Sequence, residues 1–159
     1  MSDQSSTRSA AFQRLLADAG WTGQVRVLPE SAHTAVQAAA ALGCEPGAIA
    51  SSLVFLAGEE PVLVMTSGAH RVDTELLSRE LGVPVVMARA RLVKEVTGQT
   101  IGGVSPIGHP APLRTIVDES LRSYGELWAA AGSASSIFPI GFDDLVRITN
   151  GTTMRVAED

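Results

Sequence analysis

The amino-acid sequence predicts a single α/β domain in which a central mixed sheet is flanked by helices. Short apolar runs recur along the chain and alternate with segments of helical period, joined by both hairpin and crossover connections. The chain has 159 residues, of which 45% are hydrophobic. This length and composition suit one domain with a sizeable core and exclude a disordered chain.

The first helix is predicted where apolar residues recur at helical spacing from Phe12 to Ala19, and it is expected to end at Gly20. Small polar residues precede it and predict a flexible tail over residues 1–7, so the folded domain is expected over residues 8–159. Further helices are predicted at 34–42, 74–81, 89–97 and from Asp143 or Asp144 to Thr149. Strands are predicted at 24–28, 51–57, 62–66, 84–88, 114–118, 127–131, 135–139 and 153–156, with a four-residue loop over 58–61.

Charge and hydropathy exclude several kinds of partner. The formal net charge is -5, so we expect no extended basic face and no DNA partner. No apolar run approaches the roughly 18 residues that cross a membrane. The N-terminal residues lack the basic and apolar stretches of a secretory signal, which predicts a cytoplasmic protein.

Neither a metal nor a cofactor is expected. The three histidines, His33, His70 and His109, show no spacing typical of a metal site, and the chain has one cysteine. That residue, Cys44, lies among apolar residues without a basic neighbour, which predicts a buried, inert thiol rather than a nucleophile.

The least regular stretch, residues 98–108, is the candidate functional loop. Glycine lets a ligand approach the backbone and lets several N–H groups point at one oxygen. The spacing matches neither a dinucleotide-binding nor a P-loop motif. Composition alone favours a simpler interpretation, in which two backbone segments cross closely. The loop glycines and proline are Gly98, Gly102, Gly103, Pro106 and Gly108.

These five positions form the pattern GxxxGGxxPxG, which resembles the signature of the YbaK/prolyl-tRNA-synthetase-associated editing domain family. Four flanking segments resemble that family in the same order, and the likeness covers about residues 8–156. It implies the curled mixed sheet of that family. The flanking segments are residues 48–55, 68–73, 116–121 and 142–147.

The resemblance implies an aminoacyl-tRNA deacylase that acts in trans, on a substrate similar to Cys-tRNA(Pro) or on another small amino acid. Such enzymes correct errors that a binding pocket rejects poorly, since one methylene is worth only ~1–3 kcal/mol. The implied partners are the 3′ end of aminoacyl-tRNA and an aminoacyl-tRNA synthetase. One alternative is a silent relative that binds an aminoacyl-adenosine-like ligand or a synthetase. Another is a regulatory domain that binds a small molecule in the same pocket.

The resemblance also implies a set of site residues. Backbone N–H groups of Gly102 and Gly103 would hold the ester carbonyl and its developing negative charge, with Ser51 as the third catalytic position. The loop is expected to form one wall of a pocket, and the start of the 51–57 strand with the turn at 131–137 to form the opposite rim. The implied substrate-binding residues are Gly98, Ser105, Pro106, Gly108, His109, Ser52 and Gly132.

Two segments depart from the family pattern. Ser51 stands where the family has a lysine that is thought to contact the substrate near the ester and the terminal phosphate, and a serine hydroxyl carries no charge. Residues 130–135 read AAGSAS where the family segment resembles S-G-G-K-R-G, so two positive charges are missing. Lys94 is the chain's only lysine. Whether it reaches the pocket stays open, with a solvated helix lysine as the simpler alternative.

Four further residues have simple structural interpretations. Trp21 and Trp128 are predicted to pack in the core rather than to stack on adenine. Asp73 is predicted to cap a helix, and Asp118 to end a strand. None of the four is therefore predicted to carry chemistry.

Overall fold

The computed structural model describes residues 2–21, 23–29, 34–101, 103–133 and 135–157. Its helices are α1 (Ser2–Asp18), α2 (Ala35–Leu42), α3 (Thr74–Leu81), α4 (Ala90–Thr97) and α5 (Phe142–Thr149). Its strands are β1 (Arg26–Val27), β2 (Ile49–Ala57), β3 (Glu60–Ser67), β4 (Val85–Met87), β5 (Arg114–Asp118), β6 (Leu127–Ala130), β7 (Ser136–Ile140) and β8 (Thr152–Met154). Short 3-10 helices lie at Pro46–Ala48 and Glu119–Ser123.

The strands form one mixed sheet, as predicted, in the order β1-β7-β6-β2-β3-β5-β8. The hairpins β2–β3 and β6–β7 are antiparallel. Strands β3, β5 and β8 run parallel, because the chain returns each time through a crossover that contains a helix. The predicted mixture of hairpin and crossover connections is therefore confirmed.

Strand β2 has two partners on one edge and a gap between them. Strand β6 pairs with β2 only as far as Ala50, and β4 pairs with it only from Phe55 onward. Within the described chain no strand pairs with residues 51–54 on this edge, although the Ala88 N–H donates to the Val54 carbonyl at 3.1 Å. The middle of the sheet is thus open beside β2.

Helices cover both faces of the sheet, and the alternation of side chains along β2 shows how the core divides. Ala50 and Val54 belong to the cluster that includes apolar residues of α1, α4 and α5. Phe55 and Ala57 point to the other face, in a cluster with α3. A smaller cluster joins Ile49 to α2 on that same face.

The predicted helix ends follow local signals. The Asp73 carboxylate accepts hydrogen bonds from the N–H groups of Glu75 and Leu76 at 3.0 and 3.1 Å, which confirms it as the N-cap of α3. Gly82 and Gly98 end α3 and α4 in the left-handed conformation, each with φ 74°.

The first helix begins earlier than the apolar period indicates. Helix α1 starts at Ser2, so residues 2–7 are helical where a tail was predicted. Residues 2–7 read SDQSST in the sequence, and a prediction based on apolar periodicity finds no signal in such a polar stretch.

The β2–β3 loop has two residues rather than the predicted four, because Ala57 pairs with Glu60. Gly58 supplies the positive φ of 64° that the tight turn requires. Pro61 lies inside β3 opposite Leu56, in the register position without ladder hydrogen bonds to β2, so its missing N–H costs no bond there.

Asp118 joins the ends of two parallel strands. Its buried carboxylate accepts hydrogen bonds from the N–H groups of Ser67 and Ser120, both at 3.0 Å, and lies 2.5 Å from His70 Nε2. The residue thus ends β5, as predicted, and links it to β3. A polar cavity of about 500 Å³ opens beside this cluster.

Candidate active site

A cavity of about 210 Å³ opens at the gap along β2, and we name it the strand-edge cavity. The start of β2, the glycine loop and the β6–β7 turn meet there, as the sequence predicted for the pocket. Residues at the start of α2 also line the cavity. Its lining residues are Leu28, Thr34, Ala35, Ala38, Ile49, Ala50, Ser51, Ser52, Leu53, Ile101, Val104, Trp128, Ala130, Ser133, Ser136 and Ile137.

Ser51 is half-buried and lies directly opposite Thr66 of β3. Opposed residues share a face of the sheet, with Cβ atoms roughly 4.5–5.5 Å apart. Thr66 is 4% exposed, and its hydroxyl has no hydrogen-bond partner among the described residues. A buried unpaired hydroxyl costs about 1–3 kcal/mol. A polar group of a ligand bound beside Ser51 could form the hydrogen bond that the Thr66 hydroxyl lacks.

Ser52 presents its backbone to the gap. The Gly68 N–H donates to the Ile49 carbonyl at 2.9 Å, so the backbone groups of Ile49 point towards β3. In an antiparallel ladder the backbone groups of successive residues point to alternate edges of the strand. The N–H and C=O of Ser52 therefore point to the opposite edge, where the gap lies. The bond from Ala88 to the Val54 carbonyl confirms this alternation one step further along. The Ser52 hydroxyl itself lies 3.0 Å from Met65 Sδ.

Ser105 anchors the glycine loop from beneath. It is fully buried, its N–H donates to Gln99 Oε1 at 2.7 Å, and its hydroxyl donates to the Ile107 carbonyl at 2.6 Å. Gln99 Nε2 donates back to the Ser105 hydroxyl at 2.9 Å. The predicted substrate-binding hydroxyl is therefore engaged inside the protein. Gln99, which sequence reasoning missed, is its partner.

The loop amides differ in what they bind. Gly102 lies outside the described residues. The Gly103 N–H donates to the Thr100 carbonyl at 3.1 Å and closes a turn, so it is not directed at a ligand. Val104 is buried and lines the cavity, and its N–H has no hydrogen-bond partner among the described residues. Val104, rather than Gly103, is therefore the described loop residue whose N–H is left without a partner in the described chain.

Gly98, Pro106 and Gly108 shape the loop, and none of these described residues lines the strand-edge cavity. Gly98 ends α4, and Pro106 is buried. Gly108 has φ 88°, and a Cβ at this position would lie 2.5 Å from Leu15 Cδ2. Glycine is therefore required where the loop rests on α1.

His109 lies behind the loop rather than in the cavity. Its Nε2 is 2.9 Å from the Ser105 carbonyl oxygen. Burial lowers the pKa of His109 below its usual 6.5, although the hydrogen bond to Ser105 opposes this shift. The imidazole is therefore neutral at neutral pH, and it supports the loop through Ser105.

A second cavity, of about 550 Å³, adjoins the first, and we name it the helix-side cavity. Gly132 lines it with φ 98°, and Ser133 lines both cavities. Lys94 lines it too, with Nζ 3.4 Å from the Gly98 carbonyl oxygen. The lining residues are Ala11, Phe12, Leu15, Lys94, Gly98, Gln99, Thr100, Ala131, Gly132 and Ser133.

Apart from the indole of Trp128, the polar side chains that line the strand-edge cavity in the described chain are hydroxyls. Ser133 and Ser136 lie with their oxygens 2.7 Å apart, and no lining residue described is ionisable. Such a site binds, orients and stabilises developing charge, but it supplies no side chain as a general base. Its hydroxyls belong to Thr34, Ser51, Ser52, Ser133 and Ser136.

The tryptophans pack as predicted. Trp21 contacts Phe138 edge-on, with ring centroids 5.3 Å apart. Trp128 is buried, with the Arg26 guanidinium 5.3 Å from its ring centroid, and one side of it lines the strand-edge cavity. That contact with the cavity depends on the pairing of β6 with β2, which sequence reasoning did not include.

Across the described ranges, no three histidine, cysteine or acidic side chains lie close enough to share a metal ion. The helices of those ranges are also too short or too polar for any of them to cross a membrane.

The fold and the cavity place the protein among aminoacyl-tRNA editing domains. A crystal structure of a proposed trans-editing enzyme for prolyl-tRNA synthetase has a TM-score of 0.90 and 36% sequence identity with this chain. The match covers 96% of this chain and 98% of that one. The fold class implied by the resemblance is therefore confirmed.

Sequence comparison shows the family. The profile of the aminoacyl-tRNA editing domain matches residues 29–148, and the chain belongs to this family. The uncharacterized protein YwhH of Bacillus subtilis is 32% identical over 107 residues, which are 67% of this chain and 68% of YwhH. Proline–tRNA ligase of Bacillus licheniformis is 31% identical over 121 residues, 73% of this chain but 21% of the ligase. The chain thus spans about a fifth of that ligase.

Proposed function

We propose that this protein is a trans-acting deacylase, which hydrolyses the ester between a small, wrongly attached amino acid and the 3′ end of its tRNA. The observation that carries the proposal is the strand-edge cavity. The Ser52 N–H faces the gap at this cavity, and Val104, which lines the cavity, has an N–H without a partner among the described residues. The site is small, carries hydroxyls and lies at the glycine loop of an editing domain.

The proposed reaction needs little from side chains. Water adds to the ester carbonyl carbon, and the carbonyl oxygen becomes an oxyanion that the Ser52 and Val104 amides stabilise. The bond between the carbonyl carbon and the ribose oxygen then breaks. The ribose oxygen leaves as a hydroxyl with a proton from the attacking water, and the free amino acid is released. The neighbouring ribose hydroxyl of the substrate orients that water, since the described lining offers no base.

The size of the cavity favours a small amino acid. The strand-edge cavity has a volume of about 210 Å³. Most ligand pockets are larger, at roughly 300–1,000 Å³. The cavity therefore takes an aminoacyl group with a short side chain and leaves the nucleoside outside. The similarity to proline–tRNA ligases and to a proposed trans-editing enzyme for prolyl-tRNA synthetase supports tRNA(Pro) as the carrier, and the small cavity supports a short side chain such as that of cysteine or alanine.

A deacylation panel tests the proposal. The purified protein is incubated under single-turnover conditions with tRNA(Pro) charged with cysteine, alanine or proline, and loss of the ester is followed against a buffer control. We expect cysteine or alanine to be released faster than in buffer and proline to be retained. Equal loss of all three would contradict editing, because it would show no selection by the cavity.

The silent relative is the alternative outcome of the same panel. In this case a non-hydrolysable 3′-amide analogue of alanyl-adenosine would bind, but every charged tRNA would lose its amino acid no faster than in buffer. That combination would reject catalysis and leave a binding protein with the same cavity.

A further inference from the structure

We infer that the helix-side cavity binds the terminal nucleotide of the tRNA, with the 5′-phosphate of that nucleotide at Lys94 and its base against α1. This rests on the proposed function, which places the aminoacyl group in the neighbouring strand-edge cavity. The two cavities differ in size. The strand-edge cavity, at about 210 Å³, is smaller than most ligand pockets, whereas the helix-side cavity, at about 550 Å³, lies within their usual range of roughly 300–1,000 Å³.

The two cavities are neighbours at the point where an ester link would pass. Ser133 lines both of them. On the opposite side, Thr100 lines the helix-side cavity and the next residue, Ile101, lines the strand-edge cavity. A ligand that occupies both cavities must therefore pass between the Ser133 turn and the start of the glycine loop, which places its ester beside the proposed amide donors.

The lining of the helix-side cavity suits a nucleotide. Phe12 and Leu15 of α1 give it an apolar wall, and Leu15 is 37% exposed. Thr100 adds a hydroxyl, and the Gln99 amide, which bonds Ser105, lies beside it. An aromatic base and its ribose need both apolar contact and polar groups, and this mixed lining offers both.

Lys94 supplies the charge. It is the one ionisable side chain among the described residues that line this cavity, in a protein of formal net charge -5. Its ammonium has three donors, and the Gly98 carbonyl at 3.4 Å accepts from one. The remaining donors are available to an anion at the mouth of the cavity. A lysine near a helix C-terminus also satisfies terminal carbonyls, so the test must separate this structural role from phosphate binding.

The affinities of small nucleotides distinguish phosphate binding by Lys94 from a purely structural role of this residue. The isotope-labelled protein is titrated with AMP, adenosine and ribose 5-phosphate, and dissociation constants are read from backbone amide shifts. We expect AMP to bind roughly fivefold more tightly than adenosine, as one partly exposed charge pair allows. We also expect AMP to bind more tightly than ribose 5-phosphate, because the base contacts the α1 wall. The advantage over adenosine is expected to shrink with added salt.

The chain offers a matched control on the same helix. Arg91 of α4 has a side chain that is 93% exposed and pairs with Glu95 at 3.8 Å, away from the cavity lining. In Lys94→Met, AMP and adenosine are expected to bind equally, with adenosine affinity unchanged. In Arg91→Met, the preference for AMP is expected to persist. Equal binding of AMP and adenosine by the unaltered protein, or an undiminished preference in Lys94→Met, would overturn the inference.

The outcome is distinguishable from failure of the proposed function. A preference for AMP that depends on Lys94, without hydrolysis in the deacylation panel, supports the nucleotide site and rejects catalysis. Hydrolysis in the panel that is unaffected by Lys94→Met, with no preference for AMP, supports catalysis and overturns the nucleotide site.

Discussion

The Ser52→Pro variant is expected to fold and to lose about one hundred- to one thousandfold in the rate of deacylation, the loss typical of removing one oxyanion donor. Proline removes the N–H that faces the strand-edge cavity. The ladder with β3 should survive, because Ser52 bonds towards the unpaired edge of β2 rather than towards β3. The fixed φ of proline also lies within the range that strands adopt.

Ser52→Ala is the matched control for that variant. It removes the hydroxyl that lies 3.0 Å from Met65 Sδ but keeps the backbone N–H. Single-turnover hydrolysis and thermal midpoints are measured for both variants. A near-normal rate in Ser52→Ala with a large loss in a folded Ser52→Pro is the expected pair of results. A folded Ser52→Pro variant with the normal rate would show that this amide takes no part in the reaction.

The Ser51→Lys variant is expected to raise deacylation about tenfold. An ammonium beside the ester replaces a neutral hydrogen bond by a charged one, worth about 1.4 kcal/mol more and therefore a factor of about ten. Ser51 is half-buried, lines the cavity and lies opposite Thr66, whose hydroxyl has no hydrogen-bond partner among the described residues. A lysine side chain at position 51 would therefore extend along a cavity wall where that hydroxyl can accept a hydrogen bond.

Ser51→Met serves as the control for size. It has a similar length but no charge, so it fills the same space without the electrostatic gain. We expect no rise in rate in Ser51→Met. If both variants slow the reaction and lower the thermal midpoint, the neighbourhood of Ser51 has adapted to a small residue. If only Ser51→Lys does so, a charge buried there without a partner is the cause. A stable Ser51→Lys variant without any gain would reject a catalytic role for this position.

Local signals were sufficient for most of the fold. The Asp73 cap, the glycines that end α3 and α4, and the alternating apolar strands each act within a few residues, so a sequence displays them directly. The start of α1 was missed because its polar residues carry no apolar period. Pro61 was predicted to lie in a turn because proline cannot donate a ladder hydrogen bond. Its position opposite Leu56 needs no such bond, and this depends on the register of β3 against β2.

The candidate site was predictable only in part. The composition of residues 98–108 located the loop, but the chain alone could not show which of its amides are engaged. Gly103 closes a turn on Thr100, whereas the N–H of Val104, which lines the cavity, has no partner among the described residues. The gap beside Ser52 arises because β4 and β6 share one edge of β2, which is a property of tertiary pairing.

In the proposed complex, the aminoacyl group lies in the strand-edge cavity, against the amides of Ser52 and Val104. A titration of the isotope-labelled protein with a non-hydrolysable 3′-amide analogue of alanyl-adenosine, followed through backbone amide shifts, tests this placement directly. We expect the largest shifts on Ser52, Val104 and their neighbours in the cavity. Shifts concentrated instead around His70 and Asp118, beside the polar cavity at the ends of β3 and β5, would contradict it.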